Sequence, residues 1–272
     1  MSDRGRTRHA NDDEPRWAWW LWPNLLALDA PLVALVWQQF LGEQIGETVP
    51  MTSTITLAFT VWALYLGDRL FDARTDSSNH LAARHHFAGQ HPRLIASLTL
   101  IAVVVAGFTA SQLSAALLAA GAGVAVVVGG YFLAVHLGNL PGQTVGSKEL
   151  LVGCLFAIGV GLPILAETTS DAIAWVPAFL ALVGLFVLNC VLIARWETID
   201  QHHAPGVWLP VGAASVAVIA SGFCVLPMAV AVIASVGLLA GLQFLRHRLG
   251  PERLRVLADG ALLTPLVVGV WP

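Results

Sequence analysis

Apolar runs of about twenty residues recur from residue 17 to residue 271, broken only by short polar connections. A bilayer core is about 30 Å thick, and a helix rising about 1.5 Å per residue crosses it in about 20 residues. On that ruler nine runs qualify: 17–41, 50–67, 93–110, 112–137, 148–166, 172–194, 206–223, 225–245 and 255–271. Inside lipid every backbone N–H and C=O has to be paired within the protein, so each run must form a helix or a strand of a closed barrel. The runs are too long for barrel strands and lack their alternation of apolar and polar residues. The expected fold is therefore an all-α integral membrane protein, a bundle of nine transmembrane helices forming one domain over 17–272. The chain is 57% hydrophobic and 11% charged, whereas a soluble domain carries about 25% charged residues.

The polar stretch 1–16, "MSDRGRTRHANDDEPR", is expected to be a disordered cytoplasmic tail, because the apolar run after it is too long for a signal-peptide core. Cys154, Cys190 and Cys224 stand singly in apolar runs and read as small buried hydrophobes without a disulfide. The net charge of −3 and the lack of a basic block argue against nucleic acid as a partner. Cytoplasmic connections carry the positive excess in membrane proteins. With the N-terminus inside, all fourteen basic residues fall on that side: Arg4, Arg6, Arg8, Arg16, Arg69, Arg74, Arg84, Arg93, Lys148, Arg195, Arg246, Arg248, Arg253 and Arg255. The outer connections hold Glu43, Glu47, Glu167 and Asp171 and no Lys or Arg. A multi-pass protein of a bacterial cytoplasmic membrane is expected. Trp17, Trp19, Trp20 and Trp22 suit an aromatic belt at the start of the first run, and the small residues of "AAGAGVAVVVGG" and "VGCLFAIGVG" suit close helix packing in lipid.

Chemistry concentrates in "YLGDRLFDARTD", residues 65–76. Residues four apart share a helix face, so Asp68, Asp72 and Asp76 can converge where the second run meets water. Three such anions repel unless cations share them. Magnesium suits the site, since it accepts carboxylate oxygens while keeping positions for water and phosphate oxygens. The bland alternative is a solvated helix end with ordinary surface acids. A second polar cluster, Asn189, Arg195, Glu197 and Asp200, ends the sixth run. Both clusters follow even-numbered runs, which places them on one side of the membrane. A local contact of Arg195 with Glu197 or Asp200 would account for the second cluster without function.

An acidic helix end after the second of nine runs and another after the sixth resemble the UbiA-like intramembrane prenyltransferase superfamily, whose first motif reads roughly NDxxDxxxD. In "DRLFDARTD" Asp68 takes the Asn place, Arg69 the first Asp place, and Asp72 and Asp76 the remaining two. The second motif keeps Asn189, Glu197 and Asp200, with Trp196 in place of an acid. The resemblance implies magnesium held by Asp68, Asp72, Asp76, Asn189, Glu197 and Asp200. It implies a polyprenyl diphosphate bound by them and by Arg84, Lys148 and Arg195, and transfer of the prenyl group to a lipophilic, aromatic acceptor. Positive-inside sorting is the plain alternative for Arg84 and Lys148.

Asp29 lies within the first run, a costly place for a charge. Either it lines the cavity with Asn24, or it restarts a helix just before Pro31. Asp259 reads most simply as the helix partner of Arg255, the alternative being that it closes the cavity floor. The histidines at 80, 85, 86, 91, 202 and 203 lack the spacing of membrane di-iron clusters and read as loop residues. Other readings are a UbiA-like lipid-binding carrier or membrane scaffold without catalysis, and a transporter with Asp29 as coupling acid. A CDP-alcohol phosphotransferase is disfavoured, because no Gly precedes Asp76 where that motif requires one.

Overall fold

The computed structural model describes residues 18–75, 83–137, 146–167, 175–198 and 206–268. The expected tail 1–16, the ligands Asp76 and Asp200, and His80, His202 and His203 lie outside these residues. Among the described residues all regular structure is helical. A short 3-10 turn, Trp19–Leu21, leads into α1 (Trp22–Leu25), followed by α2 (Asp29–Ile45), α3 (Met51–Thr75), α4 (Ala83–Gln90), α5 (Pro92–Ala110) and α6 (Ala115–Leu137). Then come α7 (Ser147–Glu167), α8 (Val176–Glu197), α9 (Trp208–Ser221), α10 (Leu226–Leu245), α11 (Pro251–Ala261) and α12 (Pro265–Val268).

Within the described residues each apolar run is helical, though not every run is one unbroken helix of spanning length. Among the described residues four helices, α5, α7, α8 and α10, are long and apolar enough to cross a membrane, and a fifth span results if the bent pair Trp19–Leu25 and Asp29–Ile45 is counted as one. Three runs show a local cause for falling short of a single long apolar helix. In α3 the hydroxyls of Thr52, Ser53, Thr54 and Thr56 and the charges from Asp68 onward dilute the apolar stretch. The apolar helix α9 is only 14 residues long. The ninth run, expected as one helix over 255–271, breaks after Ala261 and resumes at Pro265.

The first run also breaks, with a bend of 75° between its two halves. Ala27 sits at the bend with φ 54°, in the left-handed region that costs an L-residue about 1–2 kcal/mol. Carbonyls freed at such a break need partners in lipid. Here α3 supplies them: Trp62 Nε1 donates to the Leu26 carbonyl at 2.8 Å, and Arg69 Nη1 donates to the Leu25 carbonyl at 2.6 Å. At the second break, fully buried Trp37 donates Nε1 to the Leu262 carbonyl at 2.8 Å. The Thr264 hydroxyl, donating to the Ala231 carbonyl at 2.9 Å and paired with Ser235 Oγ at 2.7 Å, ties that turn to α10.

The main core forms around α8, which packs against α7, α9, α10 and α11 and buries residues on nearly every side. Glycine permits the closest approaches. A Cβ on Gly153 of α7 would lie 2.7 Å from the Val187 backbone of α8, and one on Gly184 of α8 would lie 2.5 Å from the Ala217 nitrogen of α9. A second, smaller core joins the first run to the polar end of α3. Phe87 and Ala88 of α4 pack there on Leu21, Leu25, Leu66 and Ile95, and Phe87 meets Trp22 edge to face at 5.9 Å between ring centroids.

Candidate functional site

Polar side chains from five segments collect between the two broken runs and the polar ends of α3 and α8. The α1–α2 bend brings Asn24 against Asp29: Asn24 Nδ2 donates to Asp29 Oδ2 at 2.6 Å, and the Ala30 backbone N–H donates to Asp29 Oδ1 at 3.0 Å. The two readings of Asp29 therefore merge, since it is the first residue of α2 and also part of a polar cluster. Across from it, Asn189 of α8 donates Nδ2 to Asp259 Oδ1 of α11 at 3.3 Å, and Asp259 lies within electrostatic reach of Asp29. Tyr65 of α3 and Cys190 of α8 lie within electrostatic reach of Asp259 and Arg255.

Nearer the helix ends, Glu197 is held by two cations. Arg84 of α4 grips it with both nitrogens of its fork, Nη1 to Oε1 at 2.6 Å and Nη2 to Oε2 at 3.0 Å. Arg255 of α11 adds Nη1 to Oε1 at 3.1 Å. This geometry matches the planar guanidinium to a carboxylate and is far stronger than a loose ion pair. Glu197 thus pairs with Arg84 and Arg255 rather than with Arg195, one form of the local contact given as the plain alternative, while the other form, Arg195 with Asp200, falls on a residue outside those described. The Arg84 contact also joins α4, which follows the Asp68–Asp72 segment, to the end of α8, so the second and sixth connections share one end of the bundle.

Arg69 is buried at the same end, with 2% of its surface exposed. It lies two residues beyond the apolar run that closes at 67. Burial pulls its guanidinium down to about 10, against the opposing effect of Asp29, which leaves it charged at neutral pH. Its Nη2, together with Arg255 Nε and Asn189 Oδ1, is buried without a hydrogen-bond partner among the described residues. Such orphans are few in folded proteins, and each calls for an explanation.

Of the expected site residues, the structure brings together Asn24, Asp29, Arg84, Asn189 and Glu197. Asp68 stands one turn before Asp72 on α3 and lies within electrostatic reach of Tyr131, as does Glu149. Glu149 in turn reaches Cys190, so the acidic end of α3 borders the same polar region. Lys148 is exposed at the start of α7, and Arg195 is half-buried on α8. Among the described residues no three His, Cys, Asp or Glu side chains gather closely enough to hold an ion. Asp68 and Asp72 present hard oxygens of the kind magnesium takes, whereas both Glu197 oxygens are engaged by guanidinium groups.

Sequence reasoning misses Arg69, Tyr65 and Arg255 as members of the site and gives Asp259 a place there only as its second reading. Arg69 had been read only through its place in the motif and as an inside charge. Its signal was present, however, because a charge so close to the end of an apolar run must find a partner. Compared with known proteins, the chain matches no family model, no curated protein and no solved structure.

Proposed function

We propose that the chain is a nine-helix, UbiA-like intramembrane prenyltransferase, which transfers a prenyl group from a polyprenyl diphosphate to a lipophilic, aromatic acceptor. The observation that carries this reading is the Arg84–Glu197 contact, which brings the segment following the Asp68–Asp72 turn to the polar end of α8. Bound magnesium would neutralise the leaving diphosphate. Asp68, Asp72 and Asp76 would hold it, with Asn189 and Asp200 completing the second half of the donor set and Glu197 organising the arginines. Arg84, Lys148 and Arg195 would receive phosphate oxygens, a placement of positive charge where negative charge develops. Asn24 and Asp29 would line the polar floor, and the apolar helices would receive the prenyl chain. The membrane would be a bacterial cytoplasmic membrane.

The test is a thermal melt of the detergent-purified chain with magnesium and prenyl diphosphates of ten to forty carbons, followed by product analysis. A rise in melting temperature with the native chain, lost together with product in Asp72→Asn, is expected. No rise at any chain length would discard the reading.

A second reading has its own support. Both oxygens of Glu197 are already engaged by Arg84 and Arg255, which takes this acid out of a metal-ligand set and suits a UbiA-like lipid-binding carrier or scaffold that performs no chemistry. In that case a phosphorylated lipid copurifies and magnesium releases no diphosphate from it.

A further inference from the structure

Two guanidinium groups converging on one carboxylate form a receptacle for an anion, and in this structure the anion is part of the chain. Arg84 and Arg255 come from different helices, and both reach Oε1 of Glu197, at 2.6 and 3.1 Å. In the same polar cluster the buried Arg69 Nη2 and Arg255 Nε are donors with no acceptor among the described residues. Arg69 is close enough for Arg84 and Arg255 to act on it electrostatically. Asp29 and Asp259 offset charge on Arg69 and Arg255, but neither occupies these N–H groups, so the unused donors exceed what the Glu197 carboxylate takes. A phosphate group, with two negative charges and three or more acceptor oxygens, would use more of them.

The three members of the clasp are unequally held. The side chain of Glu197 is 28% exposed, against 13% for Arg84 and 16% for Arg255. Arg84 is anchored by its short helix, which docks Phe87 and Ala88 into the smaller core and whose first backbone N–H, on Ala83, donates to Glu252 Oε1 at 3.1 Å. Arg255 projects from α11 between Leu254 and Ala258, both buried. Glu197 is the last residue of α8, so it is the member that can swing toward water while both arginines stay in place.

We infer that Glu197 is a built-in surrogate anion, occupying between Arg84 and Arg255 the position that a phosphate or diphosphate group takes when it binds, so that binding requires its displacement. This rests on the reading that the chain handles a phosphorylated ligand, but it needs neither magnesium nor prenyl transfer. It adds Arg69 and Arg255 to the anion site and makes Glu197 a competitor of the ligand. A closed clasp lowers apparent affinity by the fraction of time it is open, so a clasp open about one tenth of the time weakens binding about tenfold.

The experiment titrates inorganic pyrophosphate into the full chain in detergent with EDTA present, followed by calorimetry. Glu197→Gln removes the competing charge and is expected to bind pyrophosphate about tenfold more tightly than the native chain, and Arg255→Gln added to it is expected to abolish the gain. Glu197→Asp keeps the charge, draws the carboxylate back by one methylene, and is expected to give a smaller gain. It decides the matter if Glu197→Gln does not fold. If the folded variants bind no more tightly than the native chain, Glu197 is a plain structural bridge and the inference falls. Geranyl diphosphate run in parallel separates the sources: tighter binding than pyrophosphate assigns the site to a lipid diphosphate, and equal binding assigns it to the free anion. Because metal is absent, failure of prenyl transfer leaves this result standing, and the converse holds as well.

Discussion

Arg69 shows how one side chain can serve both backbone and site. Its Nη1 closes the Leu25 carbonyl that the bend at Ala27 leaves open, and its second terminal nitrogen reaches the polar cluster without a partner among the described residues. Leu25 is 1% exposed, so water cannot replace that hydrogen bond. Arg69→Met should therefore destabilise the chain by about 1–3 kcal/mol, the cost of an unpaired buried polar group, read as a lower unfolding midpoint in mild detergent. Arg69→Lys, which can still donate to the carbonyl, should lose less, and equal loss in both would show that the carbonyl is not what matters. The charge of Arg69 could be read from its position, but its partner could not, since Leu25 lies 44 residues away and nothing in the intervening chain announces the contact.

The helices meet through small residues, and their contributions differ with what stands opposite. Gly184 faces the Ala213 carbonyl and the Ala217 backbone of α9 at 2.7 and 2.5 Å from an added Cβ, whereas a Cβ on Gly212 of α9 would meet nothing within 4 Å. Backbone cannot rotate away as a side chain can. Gly184→Val should push α8 from α9 and cost at least about 1–3 kcal/mol, as overpacking does, while Gly212→Val should leave the melting temperature nearly unchanged. Similar melts for the two variants would refute the close α8–α9 approach. Of the two small-residue stretches expected to pack closely, "VGCLFAIGVG" does so through Gly153, whereas a Cβ on Gly123, Gly129 or Gly130 of "AAGAGVAVVVGG" would meet nothing within 4 Å, because helical periodicity names a face and leaves the neighbour open. The two broken runs show the same limit from the other side. Pro31 and Asp29 marked a restart in the first run, whereas the break at 262–264 is held open by Trp37, Ser235 and Thr264, contacts that span up to 225 residues.

Across the whole bundle, the distribution of basic residues and the shared end of the second and sixth connections point to one cytoplasmic face. In a background with Cys154, Cys190 and Cys224 replaced by alanine, Lys148→Cys should react with an impermeant maleimide only in inside-out vesicles, and Glu47→Cys only in right-side-out cells. Both positions are exposed. Labelling of both from one side would overturn the assigned topology. Helical class and the presence of helices apolar enough for a membrane are legible in the chain read by itself, because hydropathy acts residue by residue against lipid and needs no partner to be counted. The acids near helix ends were legible for the same reason, as costly charges in a costly place. The pairing of Glu197 with Arg84 and Arg255, the meeting of Asp29 with Asp259, and the capture of the Leu25 carbonyl by Arg69 came only with the packed bundle. Each joins residues brought together by how helices cross, and crossing is set by side-chain volumes summed over many contacts, a quantity that no local pattern contains.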